Sequence, residues 1–175
     1  MPNLRESKIL GTKATVFAPQ GLLASRDLHR LEKLCFSMLD TVVVYETVAP
    51  QFTDADFDPM VSRSPELKEF ICEIAWEPRS LAVLLSLSNH CPKLESLGLY
   101  GVYDLQALKN LSTTIFPRLE GLLIDDNEAQ GILVRLTPLQ LGRLIDHHAP
   151  VPQDLRFVAN YDDHLVTQVW RDVTA

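Results

Sequence analysis

The sequence predicts an α/β fold: a short solenoid of about six irregular repeats, with a parallel sheet on its concave face and helices on its convex face. Three observations carry that expectation. An apolar pattern, L-x-x-L-x-L, recurs in one frame along the chain. A proline stands two residues before the first leucine in four of the five clear copies. The copies are far enough apart for a helix to return the chain to a new parallel strand.

The strands follow in order. MPNLRESKI places Leu4, Ser7 and Ile9 inside, with Ser7 a poor fit; LHRLEKLCF at 28–36 places Leu31, Leu34 and Phe36. SPELKEFIC at 64–72 gives Leu67, Phe70 and Cys72, CPKLESLGL at 91–99 gives Leu94, Leu97 and Leu99, and FPRLEGLLI at 116–124 gives Leu119, Leu122 and Ile124. VPQDLRFVA at 151–159 fits with Pro152 in the leading place and Leu155 and Phe157 inside. The leading positions 4, 31, 67, 94, 119 and 152 are separated by 27, 36, 27, 25 and 33 residues. The last two apolar positions of each copy are two apart, the period of a strand with one buried face.

The intervals read as helical. PRSLAVLLSLSNH (78–90) carries a proline at a first-turn position and Leu81, Leu84, Leu85 and Ser88 on one side. DLQALKNLS (104–112) opens on Asp104 as a cap and continues with Leu105, Leu108 and Leu111; TPLQLGRLIDHH (137–148) begins with a Thr-Pro helix start. Asp162 or Asp163 caps a last helix bearing Leu165, Val166, Val169 and Trp170. The two longer intervals hold insertions, and TVVVYETV (41–48) reads either as an extra strand or as part of the core.

With this frame, nearly the whole chain resembles the leucine-rich-repeat proteins of the long-repeat, ribonuclease-inhibitor-like class. CPKLESLGL most resembles the repeats of fungal and other eukaryotic F-box proteins. The resemblance implies one repeat domain over 1–175, or the C-terminal part of a longer array, acting as a protein-protein interaction module. The F-box likeness implies the substrate-recognition part, or a remnant, of a ubiquitin-ligase adaptor. The chain departs from the family in two ways. An F-box does not fit in the three residues given ahead of Leu4, and the ninth repeat position, where the family has Asn or Cys, holds Asn127 in one copy but Thr12, Leu39, Ala75 and Val102 in others. Such a stack needs a covering unit at each end. The last helix supplies one, whereas a strand starting at Leu4 leaves no room for the other, so either an upstream portion is missing or something else covers that edge. A truncated product with no independent role is a further reading.

Composition bounds the partners. A hydrophobic fraction of 46% is enough for a core, and a net charge of −7 without any Lys/Arg cluster argues against nucleic acid. Cys35, Cys72 and Cys91 fit neither a disulfide framework nor a zinc pattern and read as free thiols in a reducing compartment. MPNLRESKIL lacks the apolar run of a signal peptide, and no stretch approaches the roughly 20 apolar residues of a membrane span. An intracellular location, cytoplasmic or nuclear, is expected.

Motifs for chemistry are weak. FTDADFDPM resembles the start of a calcium loop, but Pro59 and Pro65 stand where that loop needs Gly and Glu, so an acidic solvated loop is expected. Adjacent His147 and His148 point about 100° apart on a helix and do not chelate one metal readily. No catalytic residue, metal or cofactor is expected; the rival reading is a small α/β hydrolase or metal-dependent enzyme using the His147/His148 region. The candidate site is instead the exposed concave strip alternating with the inward leucines. It comprises Lys33, Cys35, Glu69, Ile71, Glu73, Ser96, Gly98, Tyr100, Gly121, Leu123 and Asp125. Its apolar elements among acids predict a protein partner with a basic patch around an apolar centre.

Overall fold

A computed structural model of the chain describes residues 4–11, 15–38, 49–74, 80–100, 108, 110–126, 147 and 154–159; at 38, 100, 124–126 and 154–159 it concerns the backbone alone. Four strands leave the same tight turn. Leu31 N–H bonds Leu28 C=O at 3.0 Å, Leu67 bonds Ser64 at 3.1 Å, Leu94 bonds Cys91 at 3.1 Å and Leu119 bonds Phe116 at 3.3 Å. The prolines at 65, 92 and 117 are the second residues of these turns, where a fixed φ near −65° is already correct. That is why proline keeps its distance from the leucine.

Six strands follow: β1 (Glu6–Gly11), β2 (Lys33–Met38), β3 (Glu69–Cys72), β4 (Ser96–Tyr100), β5 (Gly121–Asp126) and β6 (Asp154–Ala159). They form one parallel sheet in sequence order. Strands β2 to β5 are each registered on the one before by the same fork. Arg5 C=O accepts Glu32 and Lys33 N–H, Glu32 accepts Lys68 and Glu69, Lys68 accepts Glu95 and Ser96, and Glu95 accepts Glu120 and Gly121, all at 2.7–3.0 Å. The frame positions align across the sheet as Ser7, Leu34, Phe70, Leu97, Leu122, Leu155 and as Ile9, Phe36, Cys72, Leu99, Ile124, Phe157.

Between β1 and β2 lies α1 (Pro19–Leu23), which tightens into a 3₁₀ turn at Ala24–Asp27. Between β2 and β3 lies α2 (Asp54–Val61), and between β3 and β4 lies α3 (Leu81–His90). The segment expected as an acidic loop is therefore a helix. Asp56 reaches back to accept the N–H and the hydroxyl of Thr53 at 2.9 and 2.7 Å, securing the first turn, while Phe57, Met60 and Val61 supply a buried face. Helix α3 also differs from expectation. Ser80, not Pro78, starts it, its hydroxyl accepting Ala82 N–H at 3.1 Å, and the buried residues are Val83, Leu84, Ser86 and Leu87. The helices expected over 104–112, 137–148 and beyond 162, segment 41–48 and the ninth repeat positions lie outside the described residues or at their margins; Leu108 is buried.

Inward side chains and helices share one core. Phe70 joins its layers, meeting Phe36 of β2 edge-to-face at 6.5 Å and Phe57 of α2 at 5.8 Å. Leu31, Leu67, Leu94 and Leu119 are at most 2% exposed, but Leu4 and Ile9 at the β1 end are only partly buried. No helix among the described residues is long and apolar enough to cross a membrane.

Candidate functional site

Strand side chains alternate between faces, so the residues between the inward positions line the opposite, open face. The register arranges them in rows. One row runs Glu6, Lys33, Glu69, Ser96, Gly121, Asp154, and the next runs Lys8, Cys35, Ile71, Gly98, Leu123, Arg156. A third contains Leu10 beside Ser37 and Tyr100 beside Asp125, with Glu73 just past β3 held near Ser37 by a 2.9 Å hydrogen bond from its hydroxyl. All the residues of the expected strip thus fall on one face, Tyr100 and Asp125 by backbone position.

The central row is apolar. Cys35, Ile71 and Leu123 are half-buried, and Ile71 lies over Gly98: a Cβ built on the glycine would meet Ile71 Cγ1 at 3.4 Å and Cγ2 at 3.5 Å. Gly98 is buried although it belongs to the open face. Burial pushes the Cys35 thiol up, which keeps it protonated and a poor nucleophile at neutral pH.

The charges are distributed less evenly than the sequence suggested. Lys33 and Glu69, both expected to meet a partner, meet each other at 3.3 Å, and the hydrogen bond from Lys33 to Glu69 is the main cause of the raised Lys33 pKa. A row the sequence reading missed flanks them: Arg5, Glu32, Lys68, Glu95 and Glu120. Glu32 pairs with Arg5 at 3.1 Å and with Lys68 at 3.1 Å, and the Lys68 hydrogen bond chiefly holds its carboxyl below the usual range. Beside the turns, Lys93 and Glu66 pair at 2.6 Å. Over β1–β3, Arg5, Glu32, Lys33, Lys68 and Glu69 are therefore neutralised by one another. Over β4 and β5, Glu95 and Glu120 are exposed and have no cationic partner among the described residues. A signal for this row exists in the sequence: the residue after the leading leucine is charged in all five clear copies.

The other chemical candidates resolve into structural contacts. The aspartates of α2 face different donors. Asp54 accepts Ser80 N–H at 2.6 Å, Asp56 serves Thr53, and Asp58 Oδ1 takes the Ser86 hydroxyl at 2.8 Å and His90 Nε2 at 3.0 Å. They do not converge, and no metal-binding cluster exists among the described residues. Ser86, Asp58 and His90 are residue types of a hydrolytic triad, but the serine donates to the carboxylate rather than to the imidazole. No base is then placed to take its proton, and the group instead clasps α2 to α3. Cys72 and Cys91 are buried, and desolvation pushes the Cys91 thiol up to about 12. His147 is exposed, and its carbonyl accepts the Thr114 hydroxyl at 3.4 Å; His148 lies outside the described residues.

Comparison of the chain with protein-family models, curated proteins and solved structures finds no match.

Proposed function

We propose that the chain is a non-catalytic protein-binding module of the leucine-rich-repeat type, working inside the cell through the open face of its sheet. Its place as the substrate-recognition part of a ubiquitin-ligase adaptor is the narrower form of this proposal and rests on the likeness of CPKLESLGL to F-box-protein repeats. The observation that carries the reading is the asymmetry of the open face. An apolar row, Cys35–Ile71–Gly98–Leu123, crosses its centre, Arg5, Glu32, Lys33, Lys68 and Glu69 pair with one another over β1–β3, and Glu95 and Glu120 have no cationic partner among the described residues.

A partner that buries an aliphatic or aromatic group on Ile71 and Leu123 while setting Lys or Arg near Glu95 and Glu120 matches that pattern. The apolar row then sets the dissociation rate and the acidic residues set the association rate. The test is affinity capture from native cell extract with the unmodified chain, Ile71→Ala, Leu123→Ala, Tyr100→Ala and Glu95→Lys/Glu120→Lys, followed by kinetics on the captured partner. Each apolar truncation is expected to weaken binding by about 1–2 kcal/mol. The charge-reversed pair is expected to slow association and reduce its salt dependence. Retention of every partner by all four variants would overturn the reading.

A further inference from the structure

We draw no further inference here: the strongest candidate, the row of the open face in which Lys8 stands beside Cys35, Ile71, Gly98 and Leu123, belongs to the site already described, and nothing in the structure shows what covers it.

Discussion

Phe70→Ala is the substitution that tests the architecture most directly. Phe70 is 0% exposed and its ring bridges β2, β3 and α2 through edge contacts to Phe36 and Phe57. Phe→Ala changes in cores cost about 3–5 kcal/mol. Two aromatic edges, each worth about 0.5–1.5 kcal/mol beyond area, place this site in the upper half, near 4–5 kcal/mol. For a chain of this size that is a fall of roughly 8–20 °C in Tm, at about 2–4 °C per kcal/mol. Phe70→Leu keeps most of the volume and loses the ring edges, so about 1–2 kcal/mol is expected. Urea titration with a shared m-value measures both, and a double-mutant cycle with Phe57→Ala isolates the α2–β3 contact, where coupling of about 0.5–1.5 kcal/mol is expected. A loss below about 1.5 kcal/mol for Phe70→Ala, or no coupling to Phe57, would refute the packing of α2 on the sheet.

Four further outcomes follow from particular contacts. Asp58→Ala removes the acceptor shared by Ser86 and His90 and is expected to cost about 1–2 kcal/mol in urea titration, with Asp58→Asn recovering much of it, because Ser86 is buried. In thiol titration at pH 8 the half-buried Cys35 reacts first, while Cys72 and Cys91 react only on unfolding; fast native-state labelling of Cys91 would contradict its burial. With the Cys91 thiol held up to about 12, its contribution to stability is intact below the unfolded thiol value and is lost as pH rises through it toward 12, a loss Cys91→Ala abolishes. Glu32 has the opposite sign. Its carboxyl is held low, so its contribution is present above the ordinary 4.5 and is lost as pH falls below it; the urea midpoint of Glu32→Gln is expected to fall less steeply on acidification than that of the unmodified chain.

The sequence by itself determined the strands, their order and which side chains point inward. Each of these is written locally, in a period of two with a proline-bearing turn at a fixed offset, and a parallel register repeats whatever the turn sets. It therefore also determined which residues share the open face, including Lys33, Ile71, Gly98 and Leu123. Helix α2 was hidden because its aspartates and Pro59 read as loop residues, and only tertiary contacts, Phe57 with Phe70, Asp54 with Ser80, and Asp58 with Ser86 and His90, tie the segment to the sheet and to α3. The state of the open face was likewise a tertiary matter. Whether a glutamate is free for a partner depends on the residue on the next strand, some thirty positions away, so Glu69 is neutralised by Lys33 while Glu95 meets no cation among the described residues. Local spacing places a side chain, but only its neighbours across the sheet decide whether its charge remains available.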